Sequence, residues 1–193
     1  MNDFTFYFIY GWDHIISPYA IDHLLFILAL TAIYSPDDWK QVIFLITAFT
    51  FGHATTLALS VYDITRFNSK WVEFLIPVTI VVTSVLNFFV NKEGGMRFLK
   101  TNYLPALFFG LIHGMGFANA IRFMLPKNVQ IGWPLLGFNV GLEAGQVSVV
   151  CLILMLFYLI VVKAGFSRKG WIWSLSGIAF LISLYLGVIR WPL

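Results

Sequence analysis

The chain has 193 residues, of which 60% are hydrophobic, 18% aromatic and only 11% charged, against roughly 25% charged in a soluble domain. A soluble fold of this length has no interior large enough for so much apolar surface. The apolar runs are about 20 residues long, enough at ~1.5 Å per residue to cross ~30 Å of hydrocarbon. The formal net charge of +3 comes from basic residues between those runs. No basic patch interleaves with aromatics, so the expected partner is a lipid bilayer and not nucleic acid.

In chain order, residues 4–17 mix Phe, Tyr and Trp with Asp13 and His14, a pattern suited to a short N-terminal interfacial helix. Ser17-Pro18 separates it from the first long apolar run. Asp3 and Asp13 precede any Lys or Arg, unlike the basic start of a secretory signal peptide, so this segment is expected in the mature protein. Membrane spans are read near 20–34, 41–61, 72–90, 103–124, 134–162 and 171–189. They predict an all-α integral membrane fold, about six transmembrane helices in one bundle, forming a single polytopic domain over residues 1–193. The fifth span is too long for a straight crossing, and Trp133-Pro134 with Gly137, Gly141 and Gly145 predicts tilt or a kinked start. Trp12, Trp39, Trp71, Trp133, Trp171 and Trp191 flank the spans as interfacial anchors. The single cysteine, Cys151, lies in an apolar run, where it is expected to pack; one cysteine gives no disulfide framework.

Six crossings place both termini on one side. Lys40, Lys92, Arg97, Lys100, Lys163, Arg168 and Lys169 fall in the odd loops, and Arg66, Lys70, Arg122, Lys127 and Arg190 on the opposite side. That excess favours cytoplasmic odd loops and outside termini, as in a bacterial inner membrane.

All four histidines and two carboxylates lie in or beside these spans: His14, Asp22, His23, His53, His113 and Glu143. An ionised carboxylate at a helix centre costs about 2.5–3.5 kcal/mol on insertion scales, so each acid needs a partner. Counting from the cytoplasmic ends, His23, His53 and His113 each sit roughly 15–18 Å up their helices, and Glu143 about 15 Å in from the outer end of its own. These depths predict one layer, with His14 at the outer mouth. Thr47, Thr50, His53 and Thr56 make a polar stripe at steps of three, and Asn139, Glu143 and Gln146 share one face. Thr50, Thr56, Asn139 and Gln146 are thus candidate pathway or supporting groups. Gly137, Gly141 and Gly145, and Gly110, Gly114 and Ala118, form small-residue stripes that read as packing. Met115 reads as core filler. Glu73, near a span end, suits capping or snorkelling as well as ligation.

A lone histidine in an apolar helix clamps helices by hydrogen bonding. Four with two acids point instead to a ligand set, because buried charges need partners or metals. Imidazole with carboxylate suits a borderline divalent transition metal, Ni²⁺, Co²⁺ or Zn²⁺, whereas Cu⁺ prefers Cys and Met. Asp22 and His23, adjacent on a helix, point about 100° apart, so both reach one ion only through a bend near Pro18.

At these residues the chain resembles the HupE/UreJ family, proposed nickel or cobalt permeases associated with hydrogenase and urease systems. The matching stretches run from His14 through Ser17-Pro18 to Asp22-His23, then Phe49-Thr-Phe-Gly-His53, Phe109-Gly-Leu-Ile-His113-Gly-Met-Gly and Gly141-Leu-Glu143-Ala-Gly-Gln146. The resemblance implies metal handling at His14, Asp22, His23 and His113. Phe109 stands where the older family pattern has a further His, so the chain looks like the variant branch with Gly-His in span 2 and Gly-x-Glu-x-Gly-Gln in span 5.

The leading reading is a membrane permease for a divalent ion of the nickel, cobalt or zinc class. An intramembrane zinc-dependent hydrolase acting on a lipid or lipid-linked substrate, with Glu143 as general base, meets the same residue requirements. A structural subunit with a hydrogen-bonded polar core is the third reading, and a homo-oligomer is open under each.

Overall fold

The computed structural model describes residues 3–18, 20–66, 68–89, 103–124 and 132–193. Residue 90, where the third span was expected to end, and the loop cations Lys92, Arg97, Lys100 and Lys127 lie outside the described residues. Within the described residues every regular element is helical: α1 Asp3–Ile16, α2 Ile21–Thr31, α3 Trp39–Val61, α4 Ser69–Phe88, α5 Tyr103–Met124, α6 Gly132–Phe157 and α7 Arg168–Ile189. A short 3₁₀ turn, Pro36–Asp38, leads into α3, and a π turn, Tyr158–Lys163, continues α6.

Among the described residues four stretches are long and apolar enough to cross a membrane: Pro36–Val61, Ser69–Phe88, Gly132–Lys163 and Arg168–Ile189. Tyr103–Ala118 is a shorter apolar helix, and Phe4–Ile16 with Ile21–Thr31 qualifies only as a pair bent by 68°. Residues 20–34, expected as a complete span, contain α2 with 11 residues, which reaches only about 16 Å at ~1.5 Å per residue.

Local chemistry sets the helix ends. Ser35 donates from its backbone N–H and hydroxyl to Asp38 Oδ2 at 2.9 and 2.7 Å, closing the turn that starts α3. Asn68 and Ser167 accept from the backbone N–H of Lys70 and Gly170 at the starts of α4 and α7. Beyond α3, Asp63 adopts φ 58° and is gripped by both Nε and Nη2 of Arg66, at 3.0 and 2.9 Å.

Two helix pairs meet backbone to backbone. A Cβ on Gly52 would collide with the Leu107 carbonyl, one on Gly110 with that of Phe49 and one on Gly114 with that of His53; the last two contacts advance together, so α3 and α5 run parallel in direct contact. Gly11 meets the Phe138 carbonyl in the same way, while Gly137 and Gly141 meet those of Phe4 and Phe8. These contacts lay α1 parallel to the first half of α6. An interfacial helix lying apart was expected; the small-residue stripe of α6 instead forms a groove that α1 fills, with Tyr7 and Ile15 buried. The antiparallel pair α4 and α7 closes on edge-to-face contacts of Phe74 with Trp191 and Phe88 with Trp173. Asn87 ties it to α2, donating to the Ala29 carbonyl at 2.7 Å and to Ser176 Oγ at 3.0 Å.

Trp171, expected as an anchor, is buried edge-on to Phe157, because α7 begins against the end of α6. Cys151, expected to pack, lies on an exposed face of α6. Met115 packs on Val72, Ile76 and Ile112. Gly110→Val should lower thermal stability in detergent by about 1–3 kcal/mol through overpacking, whereas Gly177→Ala, with open space around its Cβ position, should leave the melt unchanged. Equal melts for the two variants would contradict the crossing.

Candidate metal centre

Each histidine is delivered by a different local device. His14 closes α1 and His23 opens α2, and the 68° bend between the two helices sets their ring centroids 4.7 Å apart. His53 comes from mid-α3, 6.2 Å from His14 and 5.9 Å from His23. Ligand nitrogens of His14, His23 and His53 all lie within 4.8 Å of one another. His113 of α5 is outside that group but adjacent, its ring 5.4 Å from His23.

The rings are enclosed by aromatic walls. Phe117 and Phe138 stack at 5.1 Å and border His14 at 4.2 and 5.6 Å. Phe26 and Phe49 border His113 at 5.0 and 5.1 Å. His53 is fully buried with neither ring nitrogen hydrogen bonded, and Nε2 of His14, His23 and His113 is likewise buried without a protein partner. A buried polar atom left so costs about 1–3 kcal/mol, and several pointing at one another make a nitrogen set of the kind that suits a borderline metal ion. His113 has a fixed ring: Nδ1–H donates to the Phe109 carbonyl at 2.9 Å, which leaves the Nε2 lone pair free in the neutral imidazole. The Phe109 carbonyl thus orients an imidazole in the manner common behind metal-binding histidines.

Glu143 does not join the triad. Thr47 Oγ1 donates to its Oε1 at 2.6 Å, six residues before His53 and so about 9 Å along α3. The depth count placed it higher because it assumed a straight α6 read from Trp133, whereas the α1 groove sets that register and brings Phe138 to the histidines. One turn nearer the triad, Thr50 Oγ1 donates to Gln146 Oε1 at 2.8 Å. Asn139 Nδ2 turns back to the Leu135 carbonyl, and its buried Oδ1 has no partner. Thr56 bonds only its own helix, at the Gly52 and His53 carbonyls.

Asp22 lies outside the group of three and is paired with a cation. Its Oδ2 accepts from Arg190 Nη1 at 2.8 Å, and its Oδ1 is buried without a partner. Asp22, His14, His23 and His113 line a cavity of about 420 Å³ shared with Asp13, Glu73 and Arg190. His14, expected at the outer mouth, therefore belongs to the cluster, since α1 descends along α6 before the bend. Arg190 was read as a loop cation; the requirement that Asp22 find a partner was the signal for it. Asp13 was legible only as part of an amphipathic segment.

These features define a class, an integral membrane protein whose helices enclose a histidine cluster reached through an acidic cavity. The chain belongs to the HupE/UreJ family: the family model described as HupE / UreJ protein matches residues 1–189. No curated protein and no solved structure matches it. In ¹⁵N-histidine spectra of the detergent-solubilised protein, His113 should show the Nδ1-protonated neutral tautomer; an Nε2-protonated ring would refute the Phe109 contact.

Proposed function

We propose that this chain is a permease for a divalent transition-metal ion of the nickel, cobalt or zinc class. The reading rests chiefly on the His14, His23 and His53 nitrogens gathered within 4.8 Å and left without protein partners. Family membership supports the same reading. His113 supplies a fourth nitrogen beside His23, Asp22 contributes charge from the cavity side, and Glu143 receives the ion further along.

The chain is taken as one polytopic domain of six crossings, the first being the bent pair α1 and α2. Helix direction supports that count. Crossings one and five run parallel as α1 and α6, two and four parallel as α3 and α5, and three and six antiparallel as α4 and α7, the pattern that alternating crossings require. The basic odd loops favour a cytoplasmic location for them, with both termini outside a bacterial inner membrane. The cavity then opens outward, since Glu73 lies near the start of α4 and Arg190 just beyond α7.

In this scheme an ion enters past Asp13 and Glu73, sheds water between the aromatic walls and takes the imidazole nitrogens as ligands. The contacts Thr50–Gln146 and Thr47–Glu143 then offer oxygen ligands in steps toward the cytoplasmic side. Rocking of helices around a fixed midplane site would expose it alternately to each face. Nothing in the geometry favours the hydrolase reading, whose general base, Glu143, stands apart from the triad on Thr47.

Vesicles reconstituted with the protein and loaded with a metal-sensitive dye test the proposal. Wild type should take up Co²⁺, and His53→Ala should reduce the initial rate at least tenfold. Uptake that survives His53→Ala combined with His113→Ala would eliminate this site.

A further inference from the structure

Three carboxylates, Asp13, Asp22 and Glu73, line the cavity against one guanidinium, Arg190. Arg190 is placed there by construction. It caps α7, its N–H bonded to the Leu186 carbonyl at 2.9 Å, and the next residue, Trp191, is pinned edge-on to Phe74 of α4 with ring centroids 5.0 Å apart. The guanidinium therefore reaches back over the helix end to Asp22, in the first turn of α2.

The pair is not sealed: the side chains of Arg190 and Asp22 keep 26% and 18% of their surface exposed. It is also incomplete, because Asp22 Oδ1 has no partner. His14, His23 and His113 line the same cavity as Asp22, and their Nε2 atoms are buried and unpartnered. A cation in this cavity meets, beside the histidines, a carboxylate that already holds a positive charge.

We propose that Arg190 is a tethered stand-in for the transported cation. It holds Asp22 while no ion is present, and an ion entering the cavity displaces it from Asp22 on the way to the histidines. This rests on the permease reading. The physical case is one of charge balance. Neutral imidazoles bind a divalent ion without compensating its charge, and a partly buried carboxylate gains from a neighbouring cation whether or not the ion is present. Exchanging guanidinium for metal at Asp22 meets both needs in turn. The displaced Arg190 stays nearby on a fixed helix end, so its return to Asp22 opposes indefinite retention of the ion. Arg190 thereby trades affinity for release, which a permease needs and a storage site does not.

Co²⁺ titration of the purified full chain, followed by the d–d absorption of the bound ion, tests this. Wild type should bind, with binding lost in His53→Ala. Arg190→Gln should tighten apparent Kd about tenfold or more and slow vesicle uptake. Arg190→Lys, which keeps the charge, should stay within about threefold of wild type. In an Asp22→Asn background, Arg190→Gln should no longer alter Kd. A purely structural Arg190 predicts the opposite sign, weaker binding in Arg190→Gln. Unchanged or weakened binding there, with wild type binding and His53→Ala not, overturns the displacement and leaves the permease reading standing. Absence of Co²⁺ binding in wild type overturns both. Should Arg190→Gln fail to fold, Arg190→Cys in a Cys151→Ser background gives the same comparison. Aminoethylation of that thiol restores a cation and should weaken Co²⁺ binding relative to the methylthiolated form; equal affinities overturn the proposal.

Discussion

Direct backbone contact between helices is the constraint on which the site depends. An imidazole reaches only a few ångströms from its own helix axis, so rings from α1, α2, α3 and α5 can meet only if those axes approach closely. Gly52 and Gly110 remove the side chains that would hold α3 from α5, and Gly11 with Gly137 and Gly141 does the same for α1 and α6. Between lipid tails there is no hydrophobic force to press helices together, and close packing of small residues is the main substitute. The same glycines that allow the fold therefore set the distances within the histidine cluster.

The bend between α1 and α2 turns this packing into a site. A continuous helix from Asp3 to Thr31 would carry His14 and His23 nine residues apart, about 13 Å along the axis. The bend between the two helices brings their centroids to 4.7 Å instead. It also separates the roles of neighbours: His23 faces the rings, while Asp22, about 100° around the helix, faces the cavity and Arg190.

How much of this was legible depended on which quantity each residue demanded. His23, His53 and His113 could be set at one depth because all three helices were counted from the same, cytoplasmic side, and the structure brings those rings together. His14 could not, since whether α1 lies on a membrane surface or descends along α6 is a question of tertiary packing that an aromatic-rich segment does not answer. Glu143 was misplaced because one helix's register against another is set by its groove, here glycines already visible as a stripe but without an assigned partner. Arg190 was hidden by the habit of counting terminal arginines as loop charge. Of the aromatic walls, one ring was present as Phe49-x-x-x-His53, a spacing that puts ring and imidazole on one face.

The order of groups along the proposed route divides the work of selection. Asp13, Asp22 and Glu73 line the cavity and would meet an ion first in that scheme, and their hard oxygens attract cations by charge without separating Mg²⁺ or Ca²⁺ from a transition metal. In the proposed route the histidines come next, bordered by aromatic rings. Mg²⁺ gives up its water reluctantly and gains little from nitrogen, whereas Ni²⁺, Co²⁺ and Zn²⁺ accept imidazole readily. A sieve for charge followed by a sieve for donor preference discriminates better than either alone, because an ion that passes the first without suiting the second faces dehydration with nothing to replace its water. That logic requires carboxylates and histidines to share one cavity as separate groups, and the roughly 100° between Asp22 and His23 on one helical turn allows it.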